Sequence, residues 1–113
     1  MRGSKRAPRR GEIWWVALYP AIGTEIRKTR PAVVVSNDSC NVHGSRVVVL
    51  PVTSNVESFY PGEARILVQK KAGRALGDQI RSVDKTRRAR RVGTLSGEEM
   101  AEVEEALRIT LDL

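Results

Sequence analysis

A chain of 113 residues with 20 Lys and Arg against 13 Asp and Glu, a formal charge of +7, has room for one domain with a modest core. So basic a domain is expected to seek a polyanion, most commonly nucleic acid; no apolar run is long enough to span a bilayer and no secretory signal is evident, which disfavours a membrane role. One cysteine, Cys40, and one histidine, His43, leave no internal disulfide, no ordinary structural zinc site and no pair of histidines for RNA cleavage within one chain.

Residues 1–9 read as a flexible basic tail ahead of a single domain over residues 10–113. Glu12 to Leu18 is the first strand, with Trp14 and Trp15 on opposite faces by the period of two. Ala32–Ser36 and Arg46–Val52 are Val-rich runs of the kind that form buried strands. Between them Asn37 to Ser45 is rich in turn residues and reads as a hairpin connection, with Cys40 and His43 as solvated bystanders. A polar loop through Tyr60-Pro61-Gly62 leads to a strand at Ala64–Gln69. Lys70–Ala75 reads as a turn, and further strands follow near Leu76–Val83 and Arg88–Thr94.

The last segment changes period. Ser96 and Glu99 form a capping box, and Met100, Val103, Leu107 and Leu111, with Ala106 and Thr110 beside them, make one apolar stripe at helical spacing. Short strands with one C-terminal helix predict a small, strongly bent antiparallel sheet or barrel, mainly β or α+β.

The segment from Gly23 to Pro31 is the most informative. Pro31 has a fixed φ and no N–H, so it suits the first residue of a strand and keeps Arg30 extended. A guanidinium on a rigid strand end is well matched to phosphate. Thr53, at the end of Leu50-Pro51-Val52, is either a strand-terminating turn residue or a phosphate-binding hydroxyl. Glu25 lies among Arg27, Lys28 and Arg30, which favour its ionised form and make it a weak base. Asp38, Asp78 and Asp84 fall on separate elements, so the sequence offers no metal site and implies no cofactor. The run Lys85 to Arg91 is either a solvated strand edge or a track for phosphate or an acidic partner.

Several segments together resemble the MazF/PemK (Kid) family of toxin endoribonucleases. They are Arg10-Gly11-Glu12-Ile13-Trp14, Gly23-Thr24-Glu25 with Arg30-Pro31-Ala32-Val33-Val34-Val35, Pro51-Val52-Thr53-Ser54, the stretch Leu76 to Lys85 and the closing helix. The resemblance implies an SH3-like barrel that dimerises and cleaves single-stranded RNA, such as mRNA, without metal. It implies 2′,3′-cyclic phosphate and 5′-hydroxyl ends, with Arg30, Thr53 and Glu25 as the catalytic residues. It also implies a cognate antitoxin, expected to be an acidic disordered segment that folds on binding. In that setting Arg27, Lys28, Ser36 and Gln79 are candidate RNA contacts, and Tyr19 or an outward Trp is a candidate stacking platform.

The stretch Ile26-Arg27-Lys28-Thr29 replaces glycines common in relatives, so the RNA motif does not carry over. Two other readings stay open: a gyrase-poisoning toxin on the same barrel, and an RNA-binding module without catalysis. All three place the protein in the cytoplasm.

Overall fold

The computed structural model describes residues 6–18, 23 and 28–113. Its strands are β1 (Glu12–Ala17), β2 (Thr29–Val34), β3 (Arg46–Thr53), β4 (Glu63–Val68), β5 (Lys71–Leu76), β6 (Arg81–Asp84) and β7 (Arg88–Thr94). Helix α1 (Asp38–His43) joins β2 to β3, and α2 (Gly97–Leu111) ends the chain. The strands form one curled antiparallel sheet in the order β4-β5-β3-β2-β1-β7, with β6 also on β3.

The curl has a visible cause in β3. One side of β3 pairs with β2, while the other is divided: Arg46–Val49 pair with β6, and Val52 and Thr53 pair with β5. Pro51 lies in the gap between those two ladders, where its missing N–H costs no pairing on that side. The sheet therefore bends where the sequence has removed a donor.

Both faces of the sheet are covered, and the alternation of β2 and β3 shows it. Val33, Val35, Leu50 and Val52 join Ile13, Ala64, Ile66 and Ala75 in a core closed by Val103 and Ala106 of α2. Ala32, Val34, Val47 and Val49 turn the other way and pack with Trp14, Val16, Leu18 and Val83. Trp14 and Trp15 take opposite faces as expected; Trp14 is buried and Trp15 half-buried. Helix α2 begins with the expected capping box, Ser96 and Glu99 each bonding the other's backbone. Met100 and Leu107 pack on the core, but Leu111 is exposed, because the helix ends there with Asp112 as its left-handed cap.

Four expectations need correction. Strand β2 begins at Thr29 and ends at Val34, so Pro31 is its third residue and Arg30 already sits in the ladder opposite Val16. The Asn37–Ser45 connection contains α1, which Asn37 caps through Cys40 N at 3.1 Å, so Cys40 is helical. Lys70–Ala75 is not a turn: the turn is only Gln69-Lys70, and β5 follows at once. The strand is hidden in the sequence because its buried residues are Gly73, Ala75 and Leu76, none of them β-branched. Leu76–Val83 is not one strand; the 3₁₀ turn Gly77–Gln79 interrupts it before β6.

The tail also differs from its prediction over residues 6–9. Pro8 is fully buried, Arg9 N donates to Glu12 Oε1 at 2.8 Å, and Arg6 reaches Glu12 Oε2 at 3.0 Å. Among the described residues no helix is long and apolar enough to cross a membrane.

Candidate active site

Strands β2 and β3 pair as Val34 with Val49, Val33 with Leu50 and Ala32 with Pro51. Carrying that register two residues further sets Arg30 across from Thr53. Both residues line a cleft of about 400 Å³ at this end of the sheet. Its other walls are Trp15, Lys28, Thr29, Pro31, Val52, Ser54, Val68, Gln69, Lys71, Ala72 and Gly73. Three cations and no carboxylate line it among the described residues, so the cleft suits an anion.

Each side chain is held by local structure. Arg30 is bracketed between Val16 on β1 and the direction of Thr53 on β3, and Pro31 fixes the backbone beside it. Arg30 has no hydrogen bond or ion pair among the described residues, which leaves its donors for a ligand. Thr53 Oγ1 accepts Asn55 N at 3.2 Å, so its own O–H remains able to donate. Across from Thr53 on β5 stands Arg74, which bonds Ser58 O at 2.7 Å and Glu63 at 3.4 Å and so ties down the loop that follows Thr53. Gly73 allows β5 to run close beneath this end of β3: a Cβ there would lie 2.8 Å from Val52 Cγ1.

The other predicted residues scatter. Lys28 lines the cleft, with its φ at 75°. The Ser36 hydroxyl is engaged inside the fold, donating to Asn41 Oδ1 and accepting Val48 N at 3.0 Å, and it is not a cleft residue. Gln79 lies in the 3₁₀ turn before β6, also outside the cleft lining. Tyr19, Glu25 and Arg27 lie outside the described residues. Trp15 is the outward Trp, and it lines the cleft beside Pro31, its cross-strand partner. Ser54, Gln69, Lys71 and Gly73 are cleft residues that the sequence did not single out. Nothing short of locating the Gln69-Lys70 turn would have found them.

The basic run is mostly the solvated strand edge expected of it: β7 is the edge strand beside β1, and Thr86, Ala89, Arg90 and Arg91 are exposed. Asp84 caps its first turn by accepting Thr86 N at 2.8 Å and Thr86 Oγ1 at 2.7 Å, and those two bonds hold the Asp84 carboxyl below its ordinary pKa. Arg88 is buried, with its guanidinium 4.7 Å from the Trp14 ring, and burial lowers its pKa while Glu12 opposes that. Arg90 lies 5.8 Å from the ring of Trp15. Arg88 is therefore the packed member of the run, while its neighbours on β7 stay exposed. Glu12 is its counterweight: burial raises its carboxyl, but Arg9 N, the Trp14 indole and Arg6 together bring it below the ordinary value. Among the described residues no three His, Cys, Asp or Glu side chains gather as metal ligands would.

Comparison with known proteins gives the family and the fold. The family model described as the PemK-like, MazF-like toxin of type II toxin–antitoxin systems matches residues 9–111. The chain is 44% identical over 115 residues to endoribonuclease MazF9 of Mycobacterium tuberculosis, covering 93% of this chain and 97% of that one. A crystal structure of MazF from Deinococcus radiodurans superposes with a TM-score of 0.85 at 30% identity, over 96% of this chain and all of the other. A MazE–MazF crystal structure from the same organism gives 0.77 at 27% identity, over 96% of this chain and 99% of the matched one. With the whole domain matched in sequence and in fold, the chain belongs to the PemK-like, MazF-like toxins of type II toxin–antitoxin systems.

Proposed function

We propose that this toxin endoribonuclease cuts single-stranded RNA at a phosphodiester held between Arg30 and Thr53. The 2′-oxygen attacks the adjacent phosphorus as its proton is removed, the bond to the 5′-oxygen breaks, and that oxygen leaves with a proton. The products are a 2′,3′-cyclic phosphate and a 5′-hydroxyl. Arg30 offsets the charge that builds on the non-bridging oxygens, and the Thr53 hydroxyl donates to one of them. Lys28 and Lys71 hold neighbouring phosphates. Glu25 belongs to the reacting set by family resemblance.

The observation that carries this reading is the cleft itself: a guanidinium without a partner among the described residues and a free O–H converge there, with cations and no described acid around them. A phosphate entering it meets positive charge and hydroxyl donors. The chain acts as a homodimer in the cytoplasm, with RNA lying across the two-fold. Its antitoxin is an acidic segment that occupies the same cleft and folds as it binds. The D. radiodurans MazE–MazF complex and the charge of +7 support that partner.

The test is incubation of purified protein with RNA in EDTA, followed by sequencing of the ends. Cyclic-phosphate ends from the native protein, and none from Arg30→Ala of equal fold and mass, are expected. Intact RNA would return the protein to the gyrase-poisoning or passive-binding readings. Cutting by clean Arg30→Ala would remove Arg30 from the mechanism.

A further inference from the structure

Among the described residues four other than glycine have positive φ: Lys28 at 75°, Gln69 at 50°, Lys70 at 69° and Asp112 at 56°. Asp112 is the ordinary left-handed cap of α2. The other three gather at the cleft: Lys28 and Gln69 line it, and Lys70 is the neighbour of Gln69. Val68 pairs with Lys71, so Gln69-Lys70 is a two-residue hairpin with both central residues left-handed. Such turns select Asn-Gly, because Gly and Asn reach this conformation at little cost. Here two long side chains hold it instead. Strain of this kind collects at functional sites, where the side chain is needed more than the comfort of the backbone.

The chemistry of the lining separates the roles. Lys28, Arg30 and Lys71 attract phosphate and carry no sequence information. The hydroxyls of Thr29, Thr53 and Ser54 pair with any base. Gln69 is the one amide among the described lining residues, and an amide presents a donor and an acceptor side by side, as the edge of a base does. Trp15, Pro31 and Val68 give an apolar wall against which an unstacked base can lie.

We infer that Gln69 is the specificity-determining residue of this cleft, reading the edge of an unpaired base beside the phosphate that Arg30 holds. This rests on the proposed RNA cleavage and adds to it the residue that selects where the cut falls. Lys70 serves only the turn. The strained hairpin is the device that delivers the amide.

The experiment compares native protein, Gln69→Gly and Lys70→Gly on an RNA library randomised around the native cut site, with ends sequenced. Glycine suits positive φ at both positions, so both variants keep the hairpin. For Gln69→Gly, cutting at the native motif is expected to fall about tenfold, the scale of one amide–base contact, while sequences changed at the read position do not fall with it. The preference at that position then collapses. Lys70→Gly should keep the native motif. Equal loss over all sequences, an unchanged motif in Gln69→Gly, or the same collapse in Lys70→Gly would each overturn the inference. Failure of the native protein to cut any RNA would instead strike the proposed function.

Discussion

Arg30 and Thr53 belong to neighbouring strands, two residues beyond the pair Ala32 and Pro51, and they open onto the same cleft. Neither depends on a loop for its place: Arg30 is inside the β1–β2 ladder and Thr53 inside the β3–β5 ladder. Side chains carried by paired strands keep their separation when substrate arrives, which is what stabilising a transition state asks of them.

Removing the guanidinium should therefore cost chemistry and not fold. Arg30→Ala is expected to lose on the order of a hundredfold to a thousandfold in single-turnover cleavage. Thr53→Val keeps the shape and loses the O–H, and on the order of tenfold is expected. Thermal unfolding of both should match the native protein, because the Arg30 side chain makes no bond among the described residues and the Thr53 side chain makes only the weak one to Asn55 N.

Glu12 should behave as a structural acid. Its buried carboxylate collects Arg6, Arg9 N and the Trp14 indole, so Glu12→Ala leaves three donors without their acceptor. A loss of about 2–4 kcal/mol in denaturant unfolding is expected. Because its pKa is lowered in the fold, this stabilisation is complete above the ordinary value of 4.5 and is lost as pH falls through the lower folded value. The native protein should thus weaken below about pH 4.5 more steeply than Glu12→Gln.

How much of this was legible in the chain depends on the residue. The start of α2 and its stripe through Leu107 could be read outright, since a capping box and helical spacing are local signals; its end at Leu111, capped by a left-handed Asp112, could not. The cleft was half legible. Arg30-Pro31 and Thr53 could be picked out by Pro beside a guanidinium and by Val runs, although Arg30-Pro31 lies inside β2 and not at its end. Gln69 and Lys71 were not, because a left-handed turn without Gly or Asn leaves no trace in composition. Ser36 could not be told from a binding hydroxyl in the sequence, because the buried Asn41 that engages it belongs to α1, a helix the chain does not announce.

Glu99 links the last helix to the sheet edge. Its carboxylate accepts Ser96 N at 2.9 Å and Leu67 N of β4 at 2.6 Å; burial raises its pKa, and these bonds bring it below the ordinary value. Glu99→Ala should cost about 1–2 kcal/mol by denaturant unfolding. Amide exchange at Leu67 should rise at the same time, since that N–H has lost its acceptor.

Gly77 tests the packing of α2 from the other side. A Cβ at this position would stand 2.3 Å from Gly62 O and 2.7 Å from Thr110 Oγ1. Gly77→Ala is expected to lower stability by about 1–3 kcal/mol, measured by urea titration, because the contacting atoms include backbone that cannot swing aside.

The divided side of β3 has one more consequence. The strand carries Thr53 past the point where β6 lets go, so the hydroxyl proposed to donate to the phosphate is anchored by β5, while Gln69 hangs from the tip that β5 shares with β4. On the proposed reading, blade and gauge are thus mounted separately: exchanging Gln69 at that tip would retune which sequence is severed, and the cutting edge need never be resharpened.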